Sequence, residues 1–298
     1  MGQELLHLAQ LLVTGLVIGS VYALVALGFV LIYKSTGILN FAQGELFMVG
    51  GYICLSLIVE FRIPFIASFV LTMAFSAALA LLVERFMLRP MIGEPVISVI
   101  MLTIGLSSVL RAVVQAIWST DTRVYPPVFP QEPLNVGGIV VSQVYLYSFC
   151  FAVIFLVIFS LFFKYSRAGI AMRATAADQQ AAQSMGISVK RTFALAWCIS
   201  AVVSAVGGIL LGTINGVNSG MAFIGLKAIP CVILGGLDSV LGAILGGIIV
   251  GLLENLAGGY LDPLVGGGVK EVAPFVILVL ILMTRPYGLF GTVEIERI

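Results

Sequence analysis

Polar side chains are scarce in this chain, and those that could do chemistry fall in a few places. One is Asn40-Phe41-Ala42-Gln43-Gly44-Glu45, at the head of an apolar run. Asn40 and Gln43 are three residues apart and share one side of a helix, whereas Glu45 lies about 140° round from Asn40. Amides on one side can give transient hydrogen bonds to a polar solute without holding it tightly. A carboxylate inside a span is costly and needs donors around it. Asn40 and Gln43 are therefore candidate pathway groups, and Asn40 with Gln43 also has the spacing of a helix cap. Glu45 is expected to be a structural polar residue, buried against neighbouring helices and satisfied by hydroxyl or amide donors. Asn215, Asn218 and Ser219, in INGVNSGMAFIG, extend the candidate pathway. Glu254 is a second structural polar residue at depth.

Other chemistries lack their parts. Hydrolysis inside a membrane wants a nucleophile with a base, or paired metal ligands. The single histidine, His7, lies beside the first span, and no H-E-x-x-H occurs. Cys54, Cys150, Cys198 and Cys231 sit within apolar runs without ligand spacing and read as packing residues. No catalytic residue, metal or cofactor is expected. G-x-x-x-x-G-K-[ST] is also missing, so energy must come from a partner or an ion gradient. A net charge of +1 gives no indication of nucleic acid.

The remaining polar interval is Lys164 to Arg191, with Lys164, Arg167, Arg173, Lys190 and Arg191 against the single acid Asp178. Thr175 followed by Asp178 reads as a capping box. Gln179 to Met185 are good helix formers, and Gly186 supplies a left-handed C′ residue. A capped helix among cations has the form of an element at the membrane surface that docks a soluble partner.

The elements that must position these groups are apolar runs. A 60% hydrophobic fraction, 10% charged residues and a mean hydropathy of +1.16 lie outside the range of soluble domains. The composition predicts an all-α, polytopic membrane helix bundle in a single domain, residues 1–298. Runs are expected at about Leu8–Tyr33, Asn40–Val59, Ile63–Phe86, Pro95–Trp118, Val144–Phe163, Phe193–Gly212, Phe223–Gly236, Val240–Ala257 and Val272–Met283. Segments Asn40–Tyr52 and Lys227–Gly242 combine helix breakers, small residues and a polar group at depth, the mark of broken helices beside a transport pathway. Gly242, Gly246, Gly247 and Gly251 read as a close-packing face.

Counting cations orients the chain. An outside N-terminus puts Lys34, Arg85, Arg89, the five cations of the long interval, Arg285 and Arg297 inside. Arg62, Arg123 and Lys270 are then outside, and Arg111 and Lys227 are expected to snorkel from near the outer ends of their runs. This gives nine crossings with a cytoplasmic C-terminus. A re-entrant hairpin at Ser35–Val59 would give eight, with the N-terminus inside. Residues 164–191 are cytoplasmic and Ser119–Ser142 extracytoplasmic in both.

Gly19 to Tyr52, GSVYALVALGFVLIYKSTGILNFAQGELFMVGGY, resembles the opening of LivH-type permease subunits of branched-chain amino acid ABC importers. Asn40 to Glu45 match that family's N-F-A-(H/Q)-G-E, and Ile233 to Asn255 is similar to its glycine-rich C-terminal block. The 164–191 loop resembles the EAA-type motif by which importer permeases dock on their ATPase. Its core is Gln180-Ala181-Ala182, three residues, then Gly186, with Gln180 in place of the glutamate. The resemblance implies ATPase coupling through Thr175, Asp178, Gln180, Ala181, Ala182 and Gly186. It implies a cytoplasmic (inner) membrane location in lipid. It also implies as partners two ATP-binding subunits, a second permease and an extracytoplasmic substrate-binding protein. The cargo would be leucine, isoleucine and valine or a related small polar solute. The other reading of the residues is an ion-coupled secondary transporter, with Glu45 and Glu254 as coupling groups.

Overall fold

The structure, a computed structural model, describes residues 2–130, 132–136, 139–285 and 287–291. Arg297 and the C-terminal end, assigned to the cytoplasm by charge, lie outside the described residues. The molecule is an all-α bundle. In chain order it has α1 (Gly2–Thr36), α2 (Gln43–Val59), α3 (Phe65–Val83), α4 (Val96–Trp118), α5 (Gln143–Tyr165) and α6 (Arg167–Ala177). There follow α7 (Gln179–Ser184), α8 (Val189–Asn215), α9 (Phe223–Gly235), α10 (Val240–Tyr260), α11 (Asp262–Val265) and α12 (Val269–Thr284). Six of these, among the described residues, are long and apolar enough to cross a membrane: α1, α3 with its extension, α4, α5, α8 and α10. Helices α2 and α9 are shorter and equally apolar.

Helix α3 continues as a π turn, Glu84–Leu88, and a 3-10 turn, Arg89–Met91, ahead of the break. Arg89 closes this end with a two-pronged bond to Glu84, 3.1 and 2.8 Å. The expected loop after Trp118 contains a hairpin that the sequence does not announce, β1 (Pro133–Val136) paired antiparallel with β2 (Ile139–Ser142). Its earlier part is fastened across the end of α8 by reciprocal Arg123 and Val217 backbone bonds of 2.9 and 2.7 Å. Tyr125 donates its hydroxyl to the Gly51 carbonyl at 2.7 Å. Burial raises its pKa well above the ordinary tyrosine value.

The core is built on α1 and α10, which run antiparallel. A Cβ on Gly251 would collide with the backbone of Gly19, and one on Gly247 with that of Ala23. Side chains as small as hydrogen let the two backbones touch, which is how helices associate without a hydrophobic driving force between them. The glycine face of α10 is therefore a packing surface, as its sequence indicates. Residues Val21 to Leu27 of α1 are 0–4% exposed, so α1 is the central post of the bundle.

Two helices are cut short. The first turn of α2 lies against Ser200 and Ser204, near the middle of the 27-residue α8. From there α2 runs parallel to α8, and Gly51 reaches Gly208 and Val217. The first turn of α9 packs on that of α2, since a Cβ on Gly225 would overlap Gly44. Helix α9 then leaves in the opposite direction, antiparallel to α10, with Gly235 against Gly242. The two short helices thus start head to head inside the bundle.

Candidate transport pathway and docking surface

The residues Asn40 and Gln43 are brought together, and the structure shows how. Asn40 does not cap the helix directly. Ala42 is the N-cap, and the Asn40 Oδ1 accepts from the Ala42 N–H at 3.0 Å. The Asn40 amide then donates to Gln43 Oε1 at 3.0 Å. Gln43 Nε2 donates to Ser200 Oγ at 2.8 Å and Ser204 Oγ at 2.5 Å, and Ser200 donates on to the Gly28 carbonyl at 2.9 Å. Asn40, Gln43, Ser200 and Ser204 are all fully or almost fully buried. This is a closed amide–hydroxyl network joining α1, α2 and α8. Its serines escaped the sequence reading, although their i, i+4 spacing within an apolar run puts both on one face.

Glu45 is buried, 3% exposed in its side chain, as expected. Its donor is not a hydroxyl or an amide. Arg111 Nη2 meets Glu45 Oε1 at 2.6 Å, and the guanidinium lies over the Phe223 ring. Lys227 pairs with Glu254 at 2.8 Å and Glu271 at 2.9 Å, linking α9 to α10 and α12. Arg111 and Lys227 therefore do not snorkel. Each reaches inward because a carboxylate at its own depth is a better partner than distant water. Two acids and two cations inside apolar runs form two pairs, a match that counting could have suggested.

Asn215, Asn218 and Ser219 do not join this network. Asn215 is the exposed last residue of α8, and Asn218 precedes the 3-10 turn Ser219–Ala222 that leads into α9. They stand near the level of the Arg123–Val217 bridge, at the end of the bundle toward which α2 points.

At the opposite end, 164–191 folds as two helices. Thr175 belongs to α6 and bonds back to the Ala171 carbonyl at 2.9 Å, so it is not a capping residue. Asp178 alone is the N-cap of α7, accepting from the N–H groups of Gln180 and Ala181 at 2.8 and 2.9 Å. Arg167–Ala177 is itself helical and absorbs Thr175. Gly186 takes φ +81°. The Gly186 N–H bonds to the Gln183 carbonyl and that of Ile187 to Ala182, closing the helix in a Schellman motif. Ala182 is 4% exposed and faces its own chain, so its side chain is not offered to a partner. Gln180, Ala181, Ser184 and Met185 are exposed, and Met185, at 82%, is the largest apolar group on that face.

The family described as "Branched-chain amino acid transport system / permease component" matches residues 11–284. This chain belongs to that family. The permease protein BraD of Pseudomonas aeruginosa, of a high-affinity branched-chain amino acid transport system, is 33% identical over 99% of this chain and 99% of its own length. LivH of Escherichia coli K12 is 32% identical over 100% of both, and a probable LivH of Methanocaldococcus jannaschii is 30% identical over 93% and 90%. Among solved structures, PsaBC from Streptococcus pneumoniae in complex with Fab shares the fold, with a TM-score of 0.50 at 12% identity over 92% of this chain and 90% of that one. For this branched-chain amino acid permease family member, the matched region takes in α10, α1 from Leu11 onward, and the α6–α7 element.

Proposed function

We propose that this permease admits branched-chain amino acids across a cytoplasmic membrane, driven by ATP-hydrolysing partner subunits that dock on α6–α7. The observation that carries the reading is the α7 element, a capped and Schellman-terminated helix offering Gln180 and Met185 away from the bundle. A passive connector needs no such construction. The ion-coupled alternative wants carboxylates free to exchange a cation, and both Glu45 and Glu254 are already tied to Arg111 and Lys227. Vesicles holding the assembled transporter, loaded with ATP and without an ion gradient, take up amino acid on this reading. Uptake that needs a gradient and ignores ATP overturns it.

The mechanism is alternating access between two permeases, supplied with amino acid by an extracytoplasmic binding protein. ATP-driven closure of the partner subunits moves α7, and the rigid α1–α10 core passes the motion to the junction of α2 and α9. Asn40 and Gln43 are the closed gate there, and Asn215, Asn218 and Ser219 lie at its outer approach. Gln43→Leu strips the amide from Ser200 and Ser204. Ser200 keeps its bond to the Gly28 carbonyl, whereas Ser204 loses its amide partner at a cost of about 1–3 kcal/mol. Transport should fall about tenfold or more, the equivalent of 1.4 kcal/mol, while the partner subunits still co-purify. Full activity in Gln43→Leu would remove these amides from the route.

The reading also fixes sides. With the native cysteines replaced, a cysteine at Thr122 should react with an impermeant thiol reagent in intact cells, and one at Ser184 only after lysis. Labelling of position 184 in intact cells inverts the topology.

A further inference from the structure

A groove of about 550 Å³ lies where the ends of α1, α5 and α6 meet the start of α10. Lys34, Ser160, Lys164, Arg173, Asp238 and Ser239 supply its polar lining, three cations against one acid. Its apolar rim opens sideways through Leu161, 51% exposed, Leu241, 69%, and Phe290, 49%. The cations are oriented by their surroundings. Lys34 Nζ donates to the Asp238 carbonyl at 2.6 Å, and the Arg173 guanidinium donates to the carbonyls of Phe163 and Lys164. Each of these contacts uses part of the donor set of a charged group. An ammonium has three N–H donors and a guanidinium five, so donors remain. Lys164 stands exposed over Tyr165.

Cations at the level of several helix ends, beside exposed leucines and a phenylalanine, suit a ligand with an anionic head and an apolar tail. We infer that this groove binds the phosphate headgroup of an anionic phospholipid. The exposed leucines accept the start of its acyl chains, while the cations hold the phosphate. The shared chemistry is a phosphate anion. The lateral apolar opening selects the lipid-borne form over the free ion, because a free phosphate gains nothing from Leu161 and Leu241. The Asp238 charge reduces the field without cancelling it. Basic pockets between spanning helices at the membrane surface attract anionic headgroups on the same physical grounds.

The test uses the assembled transporter, purified in detergent and examined by native mass spectrometry with equimolar phosphatidylglycerol and phosphatidylcholine. Wild type should retain phosphatidylglycerol in preference. Lys164→Gln, an exposed position, should weaken retention about fivefold, and Lys34→Gln with Lys164→Gln about thirtyfold. Arg285→Gln, a cation outside the groove, should leave it unchanged. Inorganic phosphate at the same concentration should not displace the lipid. Equal retention of the two lipids, or undiminished retention in Lys164→Gln, overturns the proposal. Displacement by inorganic phosphate also overturns it and marks a site for the free anion. If the double variant fails to assemble, the exposed single variant decides.

Discussion

Replacing Lys227 with Met should give the largest loss of stability of any single change in the bundle. Lys227 is only 12% exposed in its side chain, and its partner Glu254 only 1%. Removing the cation strands a carboxylate between α9 and α10 with no water to turn to. Breaking a buried pair in this way costs about 3–5 kcal/mol, against a total folding stability of about 5–15 kcal/mol. The double variant Lys227→Met with Glu254→Met should recover most of that loss, because no charge then remains to be solvated. Glu271, 69% exposed in its side chain, is a minor member, and Glu271→Gln should shift stability by about 1 kcal/mol or less. Thermal unfolding of the detergent-solubilised protein, followed by size-exclusion chromatography, measures all three variants against wild type. A Lys227→Met protein as stable as wild type would mean that Glu254 is neutral or finds another donor.

Gly186→Pro should abolish transport while the chain still inserts. Proline holds φ near −65° and Gly186 sits at +81°. Proline also has no N–H for the Gln183 carbonyl, so both bonds of the α7 terminus are lost. A penalty of about 3 kcal/mol lowers the ratio of formed to unformed α7 more than about a hundredfold. Met185→Asp tests the same surface without touching the backbone, by placing a charge where the most exposed apolar group of α7 now stands. Both variants should lose the ATP-hydrolysing subunits on co-purification. Wild-type recovery of those subunits with both variants would show that α7 is not the docking site.

The features readable from sequence are those with a local cause. Helical spans follow from apolar composition alone, and Leu8–Tyr33 or Pro95–Trp118 needed no knowledge of neighbours. Gly186 was readable because a left-handed C′ residue favours glycine whatever lies nearby. Asn40 and Gln43 do meet, through a side-chain bond, but not by the helical period that pairs them in the sequence, because α2 begins only at Gln43 and Asn40 precedes it. The failures share a different cause. Whether Arg111 snorkels or turns inward depends on α2 being beside α4, which no local pattern states. Ala182 was placed toward a partner, yet α7 leans on its own chain and hides it. Thr175 changed role because a second helix, α6, formed where only a loop was expected. The strands at 133–142 follow no strong alternation and were missed for that reason.

The head-to-head start of α2 and α9 has an electrical consequence. Each helix carries roughly half a positive charge at its N-terminus, and at the Gly44–Gly225 contact both such ends meet within the bundle. Glu45 does not cancel this, because Arg111 already neutralises it. On the pathway proposed above, the junction is a positive barrier, of the kind that turns back protons and metal cations in water-conducting pores. A zwitterion, with no net charge, can pass such a barrier carboxylate first. A transporter built this way can open to solvent on each cycle without discharging the membrane potential that the cell maintains.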